Sequence, residues 1–209
     1  MYITLKIMQS LNGFIAKNQN DDLKWGSSAD KKLYKSLSLE YGTVILGKNT
    51  YLAMPKIAFK GRLAVVIVRN LKEFLALQFL DLNQKVEVFG IITIGKITTL
   101  ENFIFVQLND KNDLDGLVEY LDYIKIKKAL VVGGGVINTM FLAQNKINEM
   151  HITIAPKIFS LGTPIFGQIS QSKDGYINNL DINLTLQKVE QITENEVLLV
   201  YTCSKANLY

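Results

Sequence analysis

Two kinds of hydrophobic pattern divide the chain into an N-terminal and a C-terminal part. Short runs of branched aliphatic residues at 43–46, 63–68 and 129–132 predict buried strands, and stretches such as 28–39 have the spacing of helices. From residue 150 onward the apolar runs are longer and alternate with polar residues, which is typical of strands with one exposed face. Strand–helix alternation followed by strands alone predicts an α/β fold with a mostly parallel central sheet, antiparallel C-terminal strands and helices on both faces.

The remaining elements are predicted from the same signals. Ser28 is predicted to cap the first helix, and Gly47 to open a short second helix. The segment 10–27 has the composition of a polar loop, and 71–99 has no clear pattern except for one strand. Further strands are expected at 2–8, within 86–94, and at 103–108, 150–155, 183–191 and 196–203, and further helices at 113–124 and 136–143.

The composition is that of one globular domain. Of the 209 residues, 48% are hydrophobic and 20% are charged, which is enough for one full core. The sequence shows no repeat, low-complexity segment or proline-rich linker, so we expect a single domain over 1–209. The net charge is +4 with scattered lysines. This distribution does not favour nucleic-acid binding and is compatible with an anionic small molecule.

The sequence has too few cysteine and histidine residues for a disulfide-stabilised protein or for a zinc protein with His/Cys ligands. Cys203 is the only cysteine and His151 the only histidine, which excludes an internal disulfide framework and an ordinary His/Cys zinc site. We interpret Cys203 as a packing residue and His151 as structural or solvent-facing, and we expect no metal. The sequence also has no apolar run of membrane-spanning length and no signal peptide, so we expect a cytoplasmic protein with no membrane contact.

Three consecutive glycines, Gly133, Gly134 and Gly135, lie between a predicted strand and a predicted helix. Residues without a Cβ let another group approach the backbone, and the helix start offers unpaired N–H groups and a positive dipole end. Such a turn suits a phosphate, although a tight connection with a packing constraint has the same sequence. The carboxyl ends of parallel strands form the ligand-binding edge of a sheet, and Gly47 and Arg69 follow two other predicted strands there. Their position favours the phosphate interpretation.

Five sequence blocks together resemble one superfamily. In chain order they are SLNGFIA (10–16), LKWGSSAD (23–30), VILGKNTY (44–51), VVGGGVI (131–137) and INEMHITIAPKIFSLGTPIF (147–166). They resemble the dihydrofolate-reductase-like superfamily, and most closely its branch containing the riboflavin-biosynthesis (RibD C-terminal) reductase domain. The resemblance covers nearly the whole chain and is loosest over 71–99. The resemblance implies the dihydrofolate-reductase-like fold. It also implies that the protein is an NADPH-dependent reductase acting on a pterin- or pyrimidine-like small molecule.

The resemblance also implies which residues bind the cofactor, NADPH. The glycine turn resembles the segment that wraps the cofactor pyrophosphate, and the start of the second helix resembles a second phosphate clamp with the hydroxyl of Thr50. Arg69 lies where the family binds the adenosine ribose, and a guanidinium there suits the 2′-phosphate that distinguishes NADPH from NADH. The implied cofactor-binding residues are Gly47, Lys48, Asn49, Thr50, Arg69, Gly133, Gly134, Gly135, Val136 and Ile137.

Asp30 lies where dihydrofolate reductases carry their active-site carboxylate, which makes it the implied catalytic residue. Reduction of a C=N bond needs a hydride at carbon and a proton at nitrogen, and a buried carboxyl group can bind the ring and assist the protonation. The helix dipole alone also favours an acidic residue in a first turn. The implied substrate-binding residues are Ser10, Asn12 and Trp25, which resemble the segments flanking the nicotinamide and the substrate ring.

The chain departs from the riboflavin reductases mainly in the substrate half of the site. Asn12 replaces their usual aspartate and Val132 their glutamate before the glycines, while 36–40 lacks an arginine and 52–55 lacks their Asp-Asp-Pro. The leading hypothesis for the function is reduction of 5-amino-6-(5-phosphoribosylamino)uracil in riboflavin biosynthesis. Dihydrofolate reduction is the alternative, favoured by Asp30 and by the missing phosphate-site residues. A nucleotide-binding homologue without catalysis would explain the missing carboxylates.

Two further expectations concern a fused second domain and the oligomeric state. The zinc deaminase domain often fused to such reductases needs more Cys and His than the sequence has, so we expect a stand-alone reductase. The long strands near the C-terminus leave a sheet edge that needs covering, so we expect a homodimer.

Overall fold

The computed structural model describes residues 1–18, 21, 23–78, 89–91, 95–100, 102–108, 114–167 and 181–204. Its strands are β1 (Tyr2–Ser10), β2 (Phe14–Ala16), β3 (Thr43–Gly47), β4 (Leu63–Ile67), β5 (Phe89–Ile91), β6 (Gly95–Leu100), β7 (Phe103–Gln107), β8 (Lys128–Val131), β9 (Glu149–Ala155), β10 (Thr163–Pro164), β11 (Leu184–Thr193) and β12 (Glu196–Cys203). Its helices are α1 (Ser28–Tyr41), α2 (Lys48–Ala53), α3 (Leu71–Gln78), α4 (Asp115–Tyr123) and α5 (Gly135–Ala143), with a 3₁₀ helix at Lys56–Phe59.

The main sheet has the strand order β11-β12-β9-β1-β8-β3-β4-β7-β6-β5. The strands from β9 to β7 are parallel to one another. Antiparallel pairs close both ends, β12 with β11 at one and β6 with β5 at the other. The predicted α/β fold with antiparallel C-terminal strands is confirmed. The second antiparallel pair lies in the segment for which the sequence pattern predicted only one strand.

Helices cover both faces of the sheet, as predicted. On one face Leu117 of α4 and Phe141 of α5 belong to a buried cluster with the inward side chains of the central strands. On the other face Tyr51 of α2 and Phe74 of α3 are buried in a second cluster, and Tyr34 of α1 packs against its margin. The central strands are therefore buried on both faces, which explains their continuous apolar sequence.

Helix α1, which carries Asp30, begins and ends at residues typical of helix caps. Ser27, rather than the predicted Ser28, is the cap: its Oγ accepts a hydrogen bond from the backbone N–H of Asp30 at 3.0 Å. Both serines have the right chemistry, and Ser27 is the one with extended backbone before the first helical residue. Gly42 ends the helix in the left-handed conformation, with φ of 69°.

The other differences from the predicted elements are local. Strand β2 lies inside the segment predicted to be a polar loop and pairs with β10, while α3 was not predicted. The predicted strand 196–203 matches β12. Within the described residues, no helix combines the length and apolar character needed to cross a bilayer.

Candidate active site

The carboxyl edge of the parallel strands brings the predicted cofactor residues together. Strand β8 leads into Gly133, β3 ends at Gly47, and Arg69 follows β4. Because β8, β3 and β4 are adjacent and parallel, these three positions lie along one edge. The backbone N–H of Gly47 donates to the carbonyl oxygen of Gly133 at 3.0 Å, so the turns after β3 and β8 are joined directly.

The three consecutive glycines meet different requirements. Gly133 has a φ of +105°, which favours glycine. A Cβ on Gly134 would lie 3.4 Å from the Thr50 hydroxyl oxygen, so this glycine leaves the hydroxyl uncovered. A Cβ on Gly135 would lie 2.5 Å from the carbonyl oxygen of Pro164, so here the reason is close packing against the β10 segment. The glycine run therefore serves both packing and an open backbone beside Thr50.

Two helix starts face this edge without side-chain caps. The cap of α5 is Gly134 and the cap of α2 is Gly47, and neither helix has a capping side-chain hydrogen bond. Val136 and Ile137 follow in the first turn of α5, where N–H groups have no partner within the helix. Backbone donors in this arrangement are suited to phosphate oxygens.

Positive and polar side chains flank the helix starts. Lys48 and Asn49, in the first turn of α2, are exposed, and so is Arg69 after β4. Their exposure leaves them available to an anionic ligand lying along the edge. The edge therefore combines backbone donors, the Thr50 hydroxyl and cationic side chains, which is the donor set that a dinucleotide phosphate requires.

A buried ion pair lies on the neighbouring strand β1. The ammonium of Lys6 donates a hydrogen bond to Oδ1 of Asp30 at 2.6 Å, and the side chains are 2% and 13% exposed. Lys6 also donates to the hydroxyl of Thr153 on β9 at 3.0 Å. The pair connects α1 to two adjacent strands of the sheet. Asp30, the predicted catalytic residue, thus has a cationic partner that the sequence interpretation did not include.

The environment of Lys6 sets its acidity. Burial lowers the pKa of Lys6 below its usual value, while the charge and hydrogen bond of Asp30, and the charge of Glu196, act in the opposite direction. A buried ammonium with a lowered pKa releases its proton more readily than a surface lysine. The pair can therefore hold and move a proton.

The loop after β1 is tied to the loop after β9 through Asn12. The Asn12 amide donates to the carbonyl oxygen of Phe159 at 2.7 Å, and its oxygen accepts from the Phe159 N–H at 3.2 Å and from the Ser10 hydroxyl at 2.8 Å. Ser10 Oγ in turn accepts from the Phe14 N–H at 3.0 Å. Asn12 and Ser10 therefore hold the end of β1 and the loop after β9 together, and a direct role in substrate binding remains a prediction.

Trp25 lies over the same loop. Its ring meets that of Phe159 edge to face, with centroids 5.2 Å apart. The indole Nε1 is buried and has no hydrogen-bond partner among the described residues. Since a buried indole N–H usually has an acceptor, this donor is unsatisfied within the described residues, and a role of Trp25 in substrate binding remains a prediction.

The sequence interpretation missed Lys6 and Thr153. The signal for Lys6 was present, because it sits in the apolar strand YITLKIM at a position that alternation places beside buried neighbours. A lysine is rarely buried without a partner, so its place in that strand pointed to a functional or paired charge. Thr153 had no such signal, since threonine is common in strands.

His151 and Cys203 lie outside this arrangement. His151 is half-buried and its Nε2 contacts Glu149 on the same strand. Cys203 is half-buried, and burial raises the pKa of its thiol to about 11.

The fold with its glycine turn places the chain among the dihydrofolate-reductase-like α/β proteins. The chain belongs to the RibD C-terminal domain family, whose model matches residues 1–198. Membership of this family supports a reductase of the riboflavin pathway. Among proteins of curated function, none matches the chain.

Solved structures similar to the chain support the same fold. A riboflavin biosynthesis protein from Shewanella sp. PV-4, described as putative, has a TM-score of 0.66 and 18% identity, covering 98% of this chain and 99% of that chain. A pyrimidine reductase-like protein from Corynebacterium diphtheriae has a TM-score of 0.69 and 15% identity, covering 98% and 92%. Dihydrofolate reductase from Enterococcus faecalis, complexed with NADP(H), has a TM-score of 0.57 and 15% identity, covering 97% and 96%.

Proposed function

We propose that this protein is an NADPH-dependent reductase of a pterin- or pyrimidine-like substrate, with the ribosylaminopyrimidine phosphate of riboflavin biosynthesis as its preferred substrate. The observation that carries the proposal is the buried Lys6–Asp30 pair on β1 and α1, one strand away from the glycine turn after β8. A proton source and a dinucleotide-binding edge are the two components that such a reduction requires. Membership of the RibD C-terminal domain family supports this chemistry.

The residues at the sheet edge are suited to NADPH. Gly133 and Gly134 leave the backbone open beside the Thr50 hydroxyl, and the first turn of α5 offers unpaired N–H groups to the pyrophosphate. Arg69 is exposed after β4, the strand beyond β3, and would bind the 2′-phosphate. When bound, NADPH supplies the hydride that is added to a carbon of the substrate.

Lys6 and Asp30 complete the reduction by supplying the proton. The heteroatom of the reduced bond gains one proton, and the Lys6 ammonium is the donor because burial lowers its pKa. Asp30 orients the ammonium through its 2.6 Å hydrogen bond, and its partial exposure lets a solvent proton restore the pair. The overall reaction would balance as substrate, NADPH and one proton giving reduced substrate and NADP⁺, with the proton passing through this pair.

Dihydrofolate reduction is the second candidate. It is favoured by Asp30 in the first turn of α1 and by the likeness to the Enterococcus faecalis enzyme. A homologue that binds the dinucleotide without turnover is the third. The three candidates differ in turnover, so one assay separates them.

The test is consumption of NADPH, followed by its absorbance, with purified protein and either the ribosylaminopyrimidine phosphate or dihydrofolate. The proposal expects turnover with the first substrate, and loss of turnover in Lys6→Met. Turnover with dihydrofolate alone would favour the second candidate. NADPH binding without turnover on either substrate would contradict the reductase proposal and favour the third.

We also propose that the protein is a homodimer joined through its C-terminal strands. Strand β11 forms one edge of the described sheet, and its Leu184, Leu186 and Val189 are 41%, 50% and 59% exposed. Exposed apolar side chains on an edge strand mark a surface that needs covering. Light scattering should give twice the chain mass for the wild type and the single mass for Leu186→Lys. A monomeric wild type would contradict this proposal.

A further inference from the structure

Glu196 is a buried carboxylate that the proton-transfer pair does not use. It is the first residue of β12, is 6% exposed, and its Oε2 has no hydrogen-bond partner among the described residues. Buried polar atoms are nearly always hydrogen-bonded, and burying an unpartnered carboxylate oxygen is costly. Within the part of the chain that the structure describes, this oxygen is therefore an acceptor without a donor.

The strand register places Glu196 on the same face of the sheet as Lys6. Leu198 is directly opposite Thr153 in the antiparallel pair of β12 and β9, so the two share a face. Glu196, two residues before Leu198, lies on that face as well. Lys6 reaches the same face, since its ammonium donates to the Thr153 hydroxyl.

Glu196 also lies at the end of the sheet where ligands bind. Continuing the register by one residue places it beside Ala155, the last residue of β9, which is paired with Ser10 at the end of β1. Both are carboxyl ends of parallel strands. Glu196 shares this face with Thr153 and Lys6, and its charge raises the pKa of Lys6.

The two carboxylates of this face are not equivalent. Asp30 accepts the short hydrogen bond from Lys6, which neutralises its charge and occupies an oxygen. Oε2 of Glu196 accepts no such hydrogen bond from any described residue. A substrate ring that presents N–H donors would therefore find a free acceptor at Glu196 rather than at Asp30.

We propose that Glu196 is a substrate-binding and specificity-determining residue that accepts hydrogen bonds from the N–H and amino donors on one edge of the heterocycle. This inference rests on the proposed function and specifies its substrate class: a ring with two adjacent donors, as in an aminopyrimidine or a pterin. Two parallel N–H···O bonds to one carboxylate fix the orientation of the ring as well as adding affinity. Lys6 remains the proton source.

The test is calorimetric binding of 2,4-diaminopyrimidine to the full chain and its variants, in a mildly acidic buffer that protonates the ring at N1 and so gives it adjacent N1–H and 2-amino donors. Glu196→Gln removes the negative charge and one acceptor with little change of shape. We expect at least a tenfold weaker binding in Glu196→Gln and a smaller loss in Glu196→Asp, which keeps the charge. Unchanged binding in Glu196→Gln, or no binding to the wild type, would overturn the inference.

Two controls separate recognition from general damage. Glu194→Gln changes an exposed glutamate in the same hairpin and should bind like the wild type. The analogue 2,4-dimethylpyrimidine lacks the donors and should bind weakly and equally to all variants. If Glu196→Gln does not fold, the wild type still decides, because equal affinity for the two rings would overturn the inference.

The NADPH affinity of the same samples distinguishes this inference from the proposed function. Glu196 is on β12, and the glycine turn follows β8; strands β9 and β1 lie between these two strands. Because of this separation, Glu196→Gln should bind NADPH like the wild type. Intact NADPH binding with unaffected pyrimidine binding would overturn the role of Glu196 alone. Loss of NADPH binding in the wild type would overturn the proposed function itself.

Discussion

Lys6 and Asp30 are 24 residues apart in sequence and meet at 2.6 Å between β1 and α1. Their side chains are 2% and 13% exposed, so each charge faces the other, and Lys6 also donates to the Thr153 hydroxyl. A buried pair of this kind contributes little net stability compared with apolar residues, but removing one partner leaves a buried charge alone. The arrangement therefore points to chemistry rather than to stability.

Lys6→Met should abolish turnover and lower the free energy of unfolding by about 3–5 kcal/mol, because Asp30 is left unpaired. The double variant Lys6→Met, Asp30→Leu should recover part of that stability without recovering activity. Urea unfolding and the NADPH assay measure the two effects. Full activity in Lys6→Met would contradict the proposed proton donor.

The exposed pair of Lys128 and Glu40 is the matched control for this prediction. Its 2.9 Å distance resembles that of the buried pair, but the side chains are 41% and 61% exposed. Solvent screens such pairs, so Lys128→Met should change stability by at most about 1 kcal/mol and leave turnover unchanged. A loss as large as that of Lys6→Met would contradict the distinction between the two pairs.

The two arginines of the chain should have opposite roles. Arg62 is buried; its guanidinium donates to Ser38 Oγ at 2.7 Å and to the carbonyl oxygens of Lys60 and Lys35. Arg62→Lys keeps the charge but not this planar set of donors, so it should lose about 2 kcal/mol of stability. Arg69→Ala should keep the stability and lose the preference for NADPH over NADH. Urea unfolding and nucleotide titration of both variants check this, and an effect of Arg62→Lys on nucleotide preference alone would contradict it.

Gly135→Ala should destabilise the fold by about 1–3 kcal/mol, because its new methyl group would lie 2.5 Å from the carbonyl oxygen of Pro164 and 3.0 Å from the nitrogen of Gly167. Gly26→Ala is the control, since its nearest contact is 3.4 Å from the flexible Met8 side chain. Thermal unfolding of both variants provides the comparison. Equal melting temperatures would contradict the packing role of Gly135.

Cys203 should react slowly with thiol reagents. Burial raises its pKa to about 11 from 9.0, so at pH 8 the folded protein should contain about one hundredth of the thiolate of the unfolded chain. Iodoacetamide labelling in native buffer and in guanidinium measures this ratio. The raised pKa also means that the unfolded state releases the proton first, so Cys203 should reduce stability as the pH rises from 9 to 11. Cys203→Ala should remove that component, and rapid native labelling would contradict the burial.

The fold was predictable because the sequence signals that define it are local. The alternating tail predicted β12 with its bounds, and the apolar strand at 63–68 predicted β4 to within one residue. Strand β2 was missed because its three residues interrupt a polar loop and depend on pairing with β10. Its partner is distant in sequence, and no local pattern reveals it.

The site was predicted only in part, for a related reason. The glycine turn and Thr50 are recognisable from short motifs, and the structure brings them together through the bond from Gly47 to Gly133. The partner of Asp30 and the burial of Glu196 arise from strand order and register, which place residues from β1 and β12 on one face. The sequence shows which residue types occupy these positions. That these residues lie close together follows only from the strand order and register of the folded chain.

The proposed cofactor site is tested most directly by titration of the protein with NADPH and with NADH, followed through the fluorescence of Trp25, the only tryptophan. We expect saturable binding of NADPH, at least tenfold weaker binding of NADH, and equal affinities for the two in Arg69→Ala. Thr50→Val should weaken both nucleotides. If neither nucleotide binds, the glycine turn is only a structural connection and the reductase proposal is wrong.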